Sequence, residues 1–286
     1  MGVLFALIAL VCWGFGDFLI QKTTRRFGDW VVLFYIGAFG AIFIFPFIYK
    51  ELPPLLFSST GLLILIGASI VLTVAALFDF EAFKVGKLSV IEPINAFELP
   101  ITALLASFIL RERLNNWQIF FLFLVIFGIF LVSIRSWRGL KKVHLEKGVW
   151  LAIAATVGMG LSDFLVGVGG RQTSPLLVNW FLSIFAGGIS LAYLLLTGRA
   201  REILYDFKNN KFVISVLMIL DNVAWIAFAY SMLLIPIAIA GGISEGYTAL
   251  TAGLGILVNK EKLRRHQFFG LVITIFAVIV LALVSE

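Results

Sequence analysis

The chain has 286 residues, 61% of them hydrophobic and 13% charged, with a net charge of +6. A soluble domain is about half apolar and about a quarter charged, so water is excluded as the solvent for most of this surface. The positive balance does not point to nucleic acid: the Lys and Arg residues sit in short loops beside apolar stretches, where orientation in a membrane and contact with anionic lipid account for them.

Apolar blocks follow one another at roughly 1–20, 30–49, 61–80, 88–110, 117–134, 148–168, 176–197, 212–234, 237–258 and 267–284. Each supplies the ~17–25 residues that a helix needs to cross a hydrocarbon core. They are continuous rather than alternating, and in lipid only helices or closed barrels satisfy the backbone, so ten transmembrane helices are expected. The first block opens without a basic leader and reads as a retained helix. The polar stretches 135–147 and 198–211 are too short to fold alone. Cys12 is the single cysteine, and His144 and His266 lie in separate basic loops. No disulfide, metal site or cofactor is therefore expected. No glycine-rich phosphate loop is present either, which argues against ATP-driven transport by this chain alone.

The chain is written twice. Gly14-Phe15-Gly16-Asp17-Phe18-Leu19 lies over Gly160-Leu161-Ser162-Asp163-Phe164-Leu165 at a shift of 146. Arg111-Glu112-Arg113-Leu114 lies over Lys260-Glu261-Lys262-Leu263 at a shift of 149, each followed by a glutamine, Gln118 or Gln267, and a closing apolar helix. The expectation is an all-α membrane protein with residues 1–134 and 148–286 as two five-helix repeats joined by a basic loop, 135–147. An odd number of spans per repeat makes the second copy enter from the other side, which gives inverted repeats. Inversion places Asp17 and Asp163, both late in their helices, toward opposite ends of a path.

WGFGDFL at 13–19, LSVIEPINAFELPITALLA at 88–106, the RERL and KEKL words and the five-plus-five pattern together resemble the drug/metabolite transporter superfamily, in particular its EamA-type ten-helix members. The resemblance covers the whole chain. It implies carrier-type transport with a cavity lined mainly by the first four helices of each half, and it implies no particular substrate. The chain departs from the family pattern at Glu92, Glu98 and Glu245, where small or weakly polar residues are usual.

Within the ten blocks there are seven carboxylates (Asp17, Asp79, Glu92, Glu98, Asp163, Asp221 and Glu245) and not one Lys or Arg. An ionised acid at the centre of a membrane helix costs about 2.5–3.5 kcal/mol on insertion scales. Such groups must be wet, protonated or paired with something other than protein, and each option points to a cavity. Asn95, Glu98 and Thr102 share one face of the fourth span. Ser244, Thr248 and Thr251 do so in the ninth, with Glu245 one residue off the stripe and Tyr247 beside it. Trp13 and Asp17 are four apart, as are Asp221 and Trp225, and an acid beside an aromatic face suits an organic cation. Pro93 and Pro100 in the fourth span and Gly241-Gly242 in the ninth are expected to break those helices. Asp79, with Glu81, Lys84 and Lys87, reads as an interfacial charge cluster. Asp17 and Asp163 serve the path or brace helix ends beside Lys22 and Arg171; both readings stay open. Glu112 and Glu261 read as structural turn residues, and Trp30, Trp117, Trp137 and Trp150 as interface anchors.

The function expected is secondary transport of a small cationic or amine-bearing solute by alternating access, with proton coupling at Glu98 and Glu245. The substrate-binding candidates are Trp13, Asp17, Asn95, Glu98, Asp163, Asp221, Trp225, Glu245 and Tyr247. Alternatives are a carrier for a neutral amino acid or sugar, a channel, and a membrane-embedded enzyme acting on lipid head groups. The last lacks clustered His, metal-spaced acids and a nucleophile motif. Partners are a small-molecule substrate and lipid, with no required protein partner evident, and the location is a prokaryotic cell membrane. Counting loops from the N-terminus, the odd ones hold 18 Lys and Arg and the even ones four. Cytoplasmic enrichment of basic residues then puts both termini outside. Reporters that work only in the cytoplasm are expected to be silent when fused at either terminus, and activity there would reverse the orientation.

Overall fold

The computed structural model describes residues 1–56, 58–85, 94–134, 148–250, 254 and 264–285. The joining loop 135–147 and Glu92, Pro93, Trp137, Thr251 and Glu261 lie outside the described residues. The side chains of Asp17, Lys22 and Lys84 do as well, although their backbones are helical. Among the described residues the structure is helical, with no strand. In chain order the helices are α1 (Gly2–Phe27), α2 (Asp29–Ile48), α3 (Leu52–Leu56), α4 (Ser59–Val85), α5 (Glu98–Ile109), α6 (Asn116–Ser133), α7 (Val149–Gln172), α8 (Pro175–Leu196), α9 (Ala200–Leu234), α10 (Ile237–Ser244) and α11 (Arg265–Leu283).

Seven of them (α2, α4, α6, α7, α8, α9 and α11) are long and apolar enough to cross a membrane, and the Gly2–Gly16 part of α1 and α5 are shorter apolar helices. The chain is thus an integral, multi-pass, all-helical membrane protein. The fourth and ninth apolar blocks are interrupted. Residues 94–95 and 98–109 are helical on either side of a turn at 96–97, and 237–244 and 247–250 on either side of a turn at 245–246. These turns fall beside Glu98 and Glu245 rather than at Pro100 or Gly241-Gly242, and Pro93 lies outside the described residues. Pro100 sits in the first turn of α5, where its missing N–H would have had no helical partner. Gly241 and Gly242 stay helical and let α10 pack tightly, against Leu99 and Leu122.

Helix starts follow local chemistry. Asn115 accepts from the N–H of Gln118 at 2.8 Å while the Gln118 side chain accepts from the Asn115 N–H at 3.0 Å, opening α6 with a capping box. Gln267 accepts from the Arg264 N–H at 3.1 Å and so makes one of the same two bonds at the start of α11. The repeated glutamine of the sequence is thus a repeated helix start. Residues 200–209, read from the sequence as polar loop, continue as helix into the eighth span across a kink at Asn210 (φ −137°, ψ 33°). Ile203 packs beside Val31 and Val32, the Tyr35 hydroxyl donates to the Ile203 carbonyl, and Arg199 grips Glu202 with two hydrogen bonds. These contacts supply the tertiary support that a short polar helix lacks alone.

Four antiparallel-type pairings organise the bundle: α1 with α9, α2 with α8, α4 with α7, and α6 with α11. Small residues set them. A Cβ on Gly187 would lie 2.9 Å from the backbone N of Ala38, and one on Gly270 would lie 2.7 Å from the Gly128 carbonyl oxygen. Without a water-driven hydrophobic effect between helices, such backbone proximity is the main source of association in lipid. Trp180 adds an Nε1–H bond to the Ala41 carbonyl (3.0 Å), and Asn222 one to the Ile36 carbonyl (3.1 Å).

Contacts also gather the turns. Gly2 lies against Leu234 and Ile235, Gln118 donates to Ser285 (3.3 Å), Ser174 donates to Glu51 (2.6 Å), and Arg171 donates to the Ile235 carbonyl (3.0 Å). Both termini and the turns near 51, 112, 173 and 235 are linked by these contacts. A separate set joins residues near 27–35 to 199–203, and Ile134 to His266.

Neighbouring glycines test the packing. Gly188 has nothing within 4 Å of where a Cβ would stand. Gly188→Ala is expected to be neutral or to stabilise by up to about 1 kcal/mol through helix propensity, whereas Gly187→Ala should destabilise by about 1–3 kcal/mol through overpacking. Melting temperatures in detergent that moved in the same direction for both would contradict this account of the α2–α8 contact.

Candidate functional site

Glu98 is the first residue of α5, Asp163 lies in the second half of α7, and Glu245 directly follows α10. Carboxylate oxygens of the three lie within 4.8 Å of one another. At that separation three ionised carboxylates repel one another strongly, because little water screens them. Asp163 is 4% exposed.

The local sequence makes this meeting possible. Gly160 lets the start of α5 approach α7, since a Cβ there would stand 2.8 Å from the Glu98 carbonyl oxygen. Thr102 then donates to the Gly160 carbonyl at 3.0 Å. One turn earlier on α7, Thr156 donates to the Asn95 side-chain oxygen (3.1 Å), and the Asn95 amide donates to Asp79 (2.7 Å). The turn at 96–97 is therefore held on both sides, with Glu98 between the two anchors. The adjacent Ser162 hydroxyl is fully buried and has no hydrogen-bond partner among the described residues.

The expected residues are distributed as follows. Glu98 and Glu245 come together across the two halves of the sequence. Asp163 joins them instead of lying toward one end of a path, because the turns at 96–97 and 245–246 bring both glutamates to its level on α7. Asn95 and Thr102 do not line an open face with Glu98; their side chains are spent on Asp79, Thr156 and Gly160. Asp79 is not simply interfacial, since its carboxylate accepts from Asn95 and acts electrostatically on Glu98. Its position near the end of α4 concealed that role in the sequence.

Trp13, Trp225, Phe228 and Tyr247 form an aromatic group. Ring centroids of Trp13 lie 5.2 Å from Trp225, 4.9 Å from Phe228 and 5.9 Å from Tyr247. Phe164 packs in the same cluster and follows Asp163 in sequence. Trp13 is buried, whereas Trp117 and Trp150 are exposed at helix starts, as interface anchors are. Asp221 is buried one turn from Trp225, outside the group of three acids, with no hydrogen bond among the described residues. Asp17 lies in α1 one turn beyond Trp13, and its side chain is outside the described residues.

Arg171 does not brace Asp163. It forms an ion pair with Glu112 at 2.8 Å, and Glu112 accepts from the N–H groups of Ile237 (3.0 Å) and Ala238 (3.4 Å) at the start of α10. Glu112 thus has the structural task the sequence suggested, with a partner that sequence spacing could not name.

The sequence profile described as the EamA-like transporter family matches residues 1–134 and again 146–283. One solved structure, described only as "Crystal structure of protein", superposes with a TM-score of 0.72 over 99% of this chain and 97% of the other at 13% identity, which establishes likeness of fold alone. No curated protein matches the chain. With nearly the whole sequence accounted for in two segments, the chain belongs to the EamA-like transporter family, whose members are membrane transporters of small solutes.

Proposed function

We propose that the protein is a secondary transporter that exchanges a small cationic or amine-bearing solute for protons at Glu98, Asp163 and Glu245, working by alternating access between two inverted five-helix halves. The observation that carries this reading is the convergence of three carboxyl groups within 4.8 Å, Glu98 from one half and Asp163 and Glu245 from the other.

The helix pairings support the two-fold relation. Exchanging the first five spans for the second five turns the α1–α9 pair into α7–α4, and turns α2–α8 and α6–α11 into themselves. Linkage of both termini with alternate turns supports an even number of crossings, hence ten. A site built from both halves at the break points of discontinuous helices is what rocking of one half against the other needs.

The chemistry follows from charge. Three acids at this separation repel when all are ionised, so the group retains a proton when no cation is bound. A cation entering the group replaces that proton, so the two compete for the same negative charge. Competition of this kind couples their gradients without a second site. Glu98 carries the proton-linked step with Glu245 as counterpart, Asp163 shares the proton, and Asn95 fixes the turn before Glu98. Trp13, Trp225 and Tyr247 offer aromatic faces to an organic ammonium group. Asp17, one turn beyond Trp13 in α1, and Asp221, one turn before Trp225 in α9, are further acidic candidates on the substrate's route. The protein sits in a prokaryotic cell membrane with both termini outside.

A second reading, a divalent metal ion as cargo, is favoured by the same separation, because hard cations take several carboxylate oxygens. Proteoliposomes with an imposed pH gradient separate the two: amine probes and Mn²⁺ are offered in parallel and uptake is measured. The primary reading expects amine uptake that collapses with the gradient. Glu98→Gln keeps the shape and removes the exchangeable proton, so it should abolish gradient-driven uptake while the melting temperature stays close to that of the parent. Uptake by the Gln variant with an unchanged pH profile would move the coupling step away from Glu98.

A further inference from the structure

Three elements that meet at the acid group meet a second time at one end of the bundle. On α7, Arg171 lies eight residues beyond Asp163; on α10, Ile237 lies eight residues before Glu245; α5 leads from Glu98 toward Glu112. Eight helical residues span about 12 Å. At that second meeting Arg171 pairs with Glu112 (2.8 Å), and Glu112 accepts from the first amides of α10. Arg171 also donates to the carbonyls of Met232 (2.8 Å) and Ile235 (3.0 Å), which end α9. Arg111 takes a left-handed conformation (φ +54°), uncommon for a non-glycine residue, and the Glu112 N–H turns back to the Ala106 carbonyl. That turn delivers the Glu112 side chain, 9% exposed, into the joint.

Between the two meetings the space is filled by apolar side chains. Ala106, Ile237 and Ala240 belong to one buried cluster with Trp13, and Gly167 admits Ile237 and Met232 against α7. The packing seals the acid group at this end, and the ion pair with its four backbone bonds sits on top of the seal.

We infer that Glu112 and Arg171 form an inter-half lock that holds the transport path closed at the end where α10 begins, and that releases when the halves separate there. The inference rests on the transport reading. Glu112 comes from the first half, and both Arg171 and the α9–α10 turn come from the second. No separation of the halves at this end leaves the joint intact. Its strength is suited to a switch: buried and charge-assisted, it holds firmly, yet Arg171 remains 30% exposed so that water can replace its partners on opening. The RERL word of the sequence thereby acquires a task beyond that of a turn.

The test reads closure directly. Cys12 is replaced by Ser, and Ala240→Cys places a single thiol in the seal, where the native side chain is 0% exposed. In proteoliposomes of the full chain, a membrane-impermeant methanethiosulfonate reagent is added from each side in turn. The parent is expected to label slowly from the locked end. Arg171→Gln should raise that rate roughly ten-fold or more, within the range of typical conformational couplings, and Arg171→Lys should fall between. An unchanged rate in an Arg171→Gln protein that melts at the parent temperature would reduce the joint to a structural brace. Should that variant not fold, Glu112→Gln, which keeps an acceptor for the α10 amides, decides by the same criterion. Cation flux in the same vesicles separates this inference from the reading beneath it. Faster labelling without proton-linked flux in the parent leaves the lock standing and sinks the cation reading. Flux in the parent with unchanged labelling does the reverse.

Discussion

Three acids held within 4.8 Å in a bundle surrounded by hydrocarbon impose the condition on which the rest of the structure depends. Lipid offers no water to dilute their repulsion, so protein geometry and bound protons must absorb it. The geometry comes from interrupted helices. Glu98 begins one helix and Glu245 ends another, and a turn beside each lets two chain segments point carboxyl groups at one position on α7. An unbroken fourth or ninth span would carry its glutamate along a straight face, with no means of bending toward Asp163. The breaks are therefore part of the site, and the polar contacts of Asn95, Thr156 and Thr102 keep them in register.

The fold class was legible because solvent selects it. Block length and continuity suffice to predict membrane helices, and the repeated Asp-Phe-Leu and Gln words suffice to align two halves. Gln118 and Gln267 show how local the readable signals are, since each caps its own helix within three residues. The meeting of Glu98, Asp163 and Glu245 was only half legible. Glutamates equally far from their repeated signposts suggested equal depth, but nothing in the spacing tied Asp163 to them. That contact depends on Gly160 and on where the fourth and ninth spans turn, which Pro100 and Gly241-Gly242 did not mark. Pro100 was absorbed in a first turn, and Gly241-Gly242 served packing. The partners of Arg171 and Asp79 were not legible for the same reason: a long-range contact, with Glu112 or Asn95, leaves no trace in sequence distance.

Polar side chains divide into two groups with different consequences for motion. Ser69, Thr73, Ser133, Thr173 and Thr274 are all satisfied by carbonyls four residues earlier in their own helices. Such bonds bury a hydroxyl in lipid without tying one helix to another, so neighbouring helices can shift past them freely. Trp180, Asn222, Gln267, Thr102 and the Glu112–Arg171 pair do bond across helices. Trp180 and Asn222 join α8 and α9 to α2, and Gln267 joins α11 to the Val132 carbonyl at the end of α6; each lies along a pairing that the two-fold exchange maps onto itself or its counterpart. Polar contacts at these places fix the register of the helices they join.

Charge is distributed less evenly than shape. The helix pairings are the same when the two halves are exchanged, yet the acid group draws one carboxyl from the first half and two from the second. A pair of halves identical in charge as well as in shape would bind a cation equally from both sides and hold equal grip in both arrangements. Unequal charge on an equal scaffold lets the two arrangements differ in free energy while the path between them stays mechanically symmetric. In the proton exchange proposed above, the acids would be the part that reads the gradient, and the matched helix pairings the part that carries the motion.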